Sequence, residues 1–111
     1  MEIQETRHGA VTVVRPVGPI VGPDASQVQS RLEVVASRTL GRFVIDAGAI
    51  AFVDSAGLEA IVNAAQRQSR TGQTLKMCST NETIREVMEL TDVSHLFEQF
   101  ADVTDAARSF L

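Results

Sequence analysis

Short apolar segments alternate with amphipathic helical patterns along most of the chain, and this alternation leaves few possible folds. Runs rich in β-branched residues predict strands, and apolar residues spaced three or four positions apart predict helices. The predicted strands are Ile3–Arg7, Ala10–Val17, Arg42–Ala47, Thr74–Ser79 and a short segment at Leu96–Phe100. The predicted helices begin at Asp24, at Ser55, after Asn81 and at Val103, and the second of them ends near Arg70.

The third predicted strand indicates how these elements assemble. It contains Phe43, Val44 and Ile45 in succession, which is typical of a strand buried on both faces of a parallel sheet. We therefore expect an α/β fold with a mixed, mostly parallel central sheet of four or five strands and about four helices. The first two strands should form an antiparallel hairpin at one edge of the sheet. With 111 residues, the chain should form a single domain spanning residues 1–111.

Polar side chains at two of the helix starts predict caps. Asp24 is followed three positions later by Gln27, which predicts an N-cap with a capping box. Asn81 is predicted to cap the third helix in the same way.

The hydrophobic content argues for a globular protein outside the membrane. Hydrophobic residues make up 44% of the chain, yet no stretch approaches the roughly 18 continuous apolar residues of a membrane helix. The first residues also lack the basic region and the apolar stretch of a signal peptide. We expect a cytoplasmic protein with no direct membrane insertion.

Charge and cysteine content narrow the classes of partner. Ten basic residues against 14 acidic ones give a net charge of −4, and the sequence contains no basic cluster, so nucleic acid is not the expected partner.

The single cysteine, Cys78, lies in an apolar strand segment and is predicted to be a buried thiol. His8 and His95 have no partners at metal-ligand spacing, so no metal site is predicted.

The segment Asp54-Ser55-Ala56-Gly57-Leu58 places a serine where an apolar strand region turns into a helix. Backbone N–H groups and the helix dipole favour negative charge at such a position. Ser55 is therefore either a cap of the helix or an acceptor for a phosphate group. Gly57 either leaves room beside Ser55 for an approaching kinase or allows close packing. The residues alone leave both questions open.

Enzymatic roles for this segment find little support in the sequence. A serine nucleophile needs a base within hydrogen-bond reach, and no histidine pattern places one near Ser55. The serine also lacks the glycine two positions earlier that a hydrolase elbow requires. No glycine-rich phosphate loop of the Walker or dinucleotide type is present. We expect a protein that is not an enzyme and needs no cofactor.

Two segments together resemble the signature of STAS domains, the family of bacterial anti-sigma factor antagonists. They are Phe43-Val44-Ile45-Asp46 and Phe52-Val53-Asp54-Ser55-Ala56-Gly57-Leu58. The later segments Arg85–Thr91 and Val103–Phe110 are similar to the third and last helices of the family. The resemblance covers essentially the whole chain and implies the STAS fold.

The resemblance also implies a role in partner switching. The unphosphorylated antagonist would bind an anti-sigma factor that is a serine kinase of the GHKL type. Phosphorylation of Ser55 would separate the pair, and a PP2C-type phosphatase would reset it. ATP would belong to the kinase and not to this chain. Asp54 would position the serine, while Ala56, Gly57 and Leu58 would shape the contact surface.

One loop departs from the pattern of the family. Many antagonists carry acidic residues after the second strand, but Gly18-Pro19-Ile20-Val21 has none, and Asp24 is the nearest carboxylate. The loop Pro19–Val21 is therefore predicted to dock onto an apolar partner surface. A STAS subunit of a lipid-transport ABC complex, which binds its ATPase subunit without phosphorylation, is the alternative function. A nucleotide-binding domain and a purely structural scaffold are further alternatives.

Overall fold

The computed structural model describes residues 1–111 as a five-stranded sheet with four α-helices. The strands are β1 (Glu2–His8), β2 (Val11–Val17), β3 (Phe43–Asp46), β4 (Leu75–Cys78) and β5 (Phe97–Phe100). The helices are α1 (Asp24–Thr39), α2 (Ser55–Arg70), α3 (Glu82–Leu90) and α4 (Val103–Arg108), with a short 3₁₀ turn at Ser94–Leu96. Strand order in the sheet follows chain order, β1 pairs antiparallel with β2, and every other pair is parallel. The predicted fold class is confirmed.

Helices cover both faces of the sheet. On one face, α1, α2 and α3 pack over a large apolar core that includes Phe43 and Ile45. Crossovers between parallel strands are right-handed. Because each new strand is added on the same side of the previous one, these crossovers place α1, α2 and α3 on the same face of the sheet. On the other face, α4 packs over a smaller cluster that contains Val44 and Cys78. The prediction that β3 is buried on both faces is therefore confirmed.

The start of α1 differs from the prediction. Asp24 is not the N-cap: it is the first residue of the helix, it follows Pro23, and no side chain caps this end. The first helical N–H groups are satisfied by the preceding turn, because Asp24 N–H donates to Val21 O at 3.2 Å and Ala25 N–H to Gly22 O at 3.1 Å. The predicted capping box is also wrong, since the side chains of Asp24 and Gln27 both accept from the amino group of Met1.

The starts of the next two helices are well capped. The Asp54 side chain accepts from Gly57 N–H at 2.8 Å, and the Asn81 side chain accepts from Ile84 N–H at 2.8 Å. The prediction for Asn81 is confirmed. Its amide also donates to the carbonyls of Ile50 and Ala51, so it ties the loop after β3 to the start of α3. None of the helices is both long enough and apolar enough to span a membrane.

Candidate functional site

The candidate site lies where β2 and β3 end, at the carboxyl edge of the sheet. The two loops that leave these strands run side by side as a continuation of the sheet. Gly18 N–H donates to Ala49 O at 3.0 Å, and Ile20 N–H donates to Phe52 O at 3.2 Å. Ile20 and Val53 form an isolated parallel bridge. The backbone that leads to Ser55 is therefore held by a neighbouring segment rather than left as a free loop.

Asp54 fastens the two loops to each other and to α2. One carboxylate oxygen accepts from Gly57 N–H, and the other accepts from Gly22 N–H, each at 2.8 Å. These hydrogen bonds to the ionised form, with that from Gly57 the stronger influence, lower the pKa of the Asp54 carboxyl below its ordinary value. Asp54 is thus an ionised cross-link directly beside Ser55.

Ser55 is exposed and has no structural task of its own. It is the first residue of α2, and its hydroxyl makes no hydrogen bond within the protein. Its backbone N–H likewise donates to no group in the chain. Because Asp54 supplies the cap, the alternative in which Ser55 caps the helix is wrong. The hydroxyl is available to a partner or a modifying enzyme.

Gly57 serves close packing. A β-carbon at this position would lie 2.1 Å from the Ile20 carbonyl oxygen, well inside van der Waals contact. Gly57 is itself buried, so the alternative in which it leaves open room beside Ser55 is wrong. Only a residue without a side chain lets α2 begin this close to the loop that carries Ile20.

The structure corrects the role predicted for Ile20. Its side chain is fully buried in the larger core, so it is not available to dock onto a partner. Of the neighbouring residues in the same predicted loop, Pro19 is exposed and Val21 is half-buried. Leu58 is half-buried and packs against the core. Only the outer residues of the loop are left to form a contact surface.

Phe52 is an exposed residue for which the sequence predicted no contact role. Half of its surface, 50%, is accessible. Successive side chains alternate across a strand, so when Ile20 and Val53 point into the core, Pro19 and Phe52 point outward. We call the exposed residues Pro19, Phe52 and Ala56, together with Ser55, the outer face. The alternation of buried and exposed side chains could have indicated that Phe52 is exposed. It applies here, however, only because Ile20 and Val53, which are distant in the sequence, form a bridge.

Ser55 has no histidine hydrogen-bonded to it that could activate its hydroxyl as a nucleophile. No hydrogen bond joins Ser55 to either histidine: His8 ends β1 at the opposite edge of the sheet, and His95 lies in the 3₁₀ turn. No group of three or more His, Cys, Asp or Glu side chains is arranged to hold a metal ion. Neither histidine is therefore placed to act as a base for Ser55.

Several solved structures are similar to this one over nearly the whole chain. TM1081 from Thermotoga maritima superposes with a TM-score of 0.85 at 17% identity, covering 96% of this chain and 92% of its own. An anti-sigma factor antagonist from Mycobacterium paratuberculosis gives 0.81 at 20% identity, with 97% and 92% covered. SpoIIAA of Bacillus in its phosphorylated form gives 0.73 at 13% identity, with 99% and 100% covered. These likenesses establish a shared fold.

The sequence itself carries the family assignment. No curated protein matches the chain. The family model of the STAS domain, however, matches residues 2–106, which include every strand and the candidate site. The chain belongs to the STAS domain family.

Proposed function

We propose that this protein is an anti-sigma factor antagonist whose binding is switched off by phosphorylation of Ser55. The observation that carries the proposal is the state of Ser55: exposed, free of internal hydrogen bonds, and held beside the ionised Asp54. Two of the similar structures are anti-sigma factor antagonists by name, and one of these was solved in a phosphorylated form. We further propose that residues 1–111 act as one STAS domain in the cytoplasm.

A phosphate on Ser55 would be compatible with the fold. It would add about −1.5 to −2 charges at the first position of a 16-residue helix, where the dipole favours negative charge. The hydroxyl that would carry it makes no hydrogen bond within the protein, so none is lost on modification. The modification therefore changes the surface and leaves the core intact.

The same phosphate would change what the outer face can bind. Unmodified, this face is largely apolar around Ser55, through Pro19, Phe52 and Ala56. Phosphorylation would set a second anionic group next to the Asp54 carboxylate, and desolvating both against an apolar partner would be costly. A loss of a few kcal/mol changes affinity by a factor of a hundred or more. The switch thus acts through the interface.

The proposed partners follow from this chemistry. An anti-sigma factor that is a serine kinase of the GHKL type would bind the outer face and donate phosphate from its own ATP, so this chain needs no cofactor. A PP2C-type phosphatase would remove the phosphate. The acid-free loop Gly18–Val21 means that the kinase is recognised through apolar contacts at Pro19 and Phe52 rather than through carboxylates.

The affinity of three variants for the kinase tests the proposal by titration calorimetry. Ser55→Ala should bind as the unmodified protein does, whereas Ser55→Asp should bind at least about a hundredfold more weakly. Ser69→Asp is the matched control, because Ser69 is exposed on the same helix about 20 Å away. Equal affinities for Ser55→Ala and Ser55→Asp would contradict the switch and favour a subunit that binds without phosphorylation.

A further inference from the structure

Three arginines, from a strand, a helix and a connecting turn, line one cavity at the edge of the sheet opposite to Ser55. Arg7 lies near the end of β1, Arg38 near the end of α1, and Arg42 directly before β3. The cavity between them measures about 580 Å³, which lies in the range of small-molecule sites. Arg7 is far from Arg38 and Arg42 in the sequence, and so the sequence shows no cluster of the three.

Pairing in the sheet explains how the arginines meet. Arg7 is the register partner of Thr12, so their side chains share the face that α1 covers. Thr12 in turn pairs with Phe43, the residue after Arg42, and its N–H contacts Arg42 O at 3.4 Å. The fold therefore brings the arginines to one place by its topology.

The cavity carries an excess of positive charge. None of its nine lining residues is acidic. The nearby carboxylate of Glu5 does not line the cavity; it pairs with Arg38, one of the three arginines, at 2.6 Å and with Arg31 at 3.2 Å. The guanidinium groups of Arg7 and Arg42 have no carboxylate within ion-pair distance and donate no hydrogen bond to another group of the protein. Although the chain has a net charge of −4, the guanidinium groups of Arg7 and Arg42 therefore have no carboxylate partner, and both lie at the same cavity as Arg38.

The remaining walls suit an oxyanion attached to an organic group. Thr12, Thr39 and Gln73 add polar groups to the lining, and Gln73 is held in place because its amide donates to Leu40 O at 3.2 Å. The ring of Phe110 supplies apolar surface at the same cavity. Guanidinium groups bind phosphate oxygens in a bidentate manner, so the arginines would hold the anion while the apolar wall holds the organic part.

We propose that this cavity binds a small organic phosphate through Arg7, Arg38 and Arg42. The site is independent of Ser55, because it lies at the amino ends of β2 and β3 whereas Ser55 follows their carboxyl ends. Binding of a ligand at this site would regulate the protein in a second way, separate from phosphorylation of Ser55.

Titration of the whole chain with phenyl phosphate and with inorganic phosphate, followed by amide NMR shifts and calorimetry, tests this site. Phenyl phosphate should bind saturably and more tightly than inorganic phosphate, with shifts concentrated at residues 39–42. Arg7→Gln and Arg42→Gln should each weaken binding about tenfold, which corresponds to one lost charged contact. Arg70→Gln, which removes an exposed arginine outside the cavity, should change affinity by less than about twofold.

Three results would overturn the proposal. The first is no saturable binding of phenyl phosphate up to about 10 mM, which is weaker than any specific site of this size should be. The second is an equal loss in Arg70→Gln and Arg42→Gln, which would indicate attraction to charge in general. The third is equal affinity for phenyl phosphate and inorganic phosphate, which would show that the cavity does not recognise the organic part of the ligand. Circular dichroism melting of each variant is the control for folding, and we expect the fold to be retained because Arg7, Arg42 and Arg70 are all exposed.

Discussion

The carbonyl oxygen of Ile20 lies against the α-carbon of Gly57, so close that a β-carbon on Gly57 would be 2.1 Å from it. The same carbonyl accepts from Asp54 N–H at 3.3 Å. One peptide group of the loop after β2 thus determines both the position of Asp54 and the absence of a side chain three residues later. The placement of Ser55 between them is a consequence of this contact.

Gly57→Ala should destabilise the protein. Helix propensity alone would make alanine about 1 kcal/mol better than glycine in a helix, but the clash with backbone cannot be relieved by rotating a side chain. We expect a net loss of about 1–3 kcal/mol, as for other overpacked sites. Urea unfolding followed by circular dichroism measures this, and a variant as stable as or more stable than the wild type would contradict the packing role.

Asp54 should make stability depend on pH in the acid range. Its pKa is lowered in the folded state, so its contribution is present above the unfolded value and is lost as pH falls through the folded one. Asp54→Asn keeps one acceptor for Gly57 N–H but puts an amide toward Gly22. The difference in unfolding free energy between wild type and Asp54→Asn should therefore shrink as pH falls from 6 toward about 3. A difference that is constant with pH would exclude the ionised cross-link.

Phe52→Ala should weaken partner binding with little effect on stability. Phe52 is half exposed, and aromatic anchors of this kind often contribute about 2 kcal/mol or more at an interface. Val34→Ala is a matched control, because Val34 is 57% exposed on α1 and lies outside the outer face. Calorimetry against the kinase should show a loss for Phe52→Ala alone. Equal affinities of the two variants for the kinase would show that Phe52 does not contribute to the interface.

Cys78 should be unreactive in the folded protein. Burial, reinforced by the nearby Asp46 carboxylate, raises the pKa of its thiol to about 11, so very little thiolate exists at pH 8. Labelling with a thiol reagent at pH 8 should be slow in buffer and fast in urea, as the predicted buried thiol requires. Rapid labelling of the native protein would show that α4 opens readily from the sheet, because Cys78 lies in the cluster under that helix.

Local patterns predicted most of the fold. The range Ser55–Arg70 for α2 and the buried character of β3 follow from periodicity within one segment, and the structure confirms both. The choice between the two roles of Gly57 could not be made from the sequence, because it depends on the carbonyl of Ile20 in a distant loop. The burial of Ile20 was missed for the same reason, since it results from a bridge to Val53.

The cap predicted at Asp24 failed for a different reason. The residue type and spacing were suitable, but the turn before α1 already satisfies the first N–H groups of the helix with backbone carbonyls. A side-chain cap competes with such a turn, and the sequence gives no measure of which one is favoured. Asp54 shows the opposite outcome, because its carboxylate reaches both Gly57 and Gly22.

The most direct test of the central claim is the affinity of the kinase for the protein before and after phosphorylation. Wild-type protein is incubated with kinase and ATP, the phosphate is mapped by mass spectrometry, and both forms are titrated with the kinase in calorimetry. We predict a single phosphate on Ser55, unchanged thermal unfolding, and binding weakened by about a hundredfold or more. A phosphate at another residue, or equal affinity of the two forms, would contradict the account.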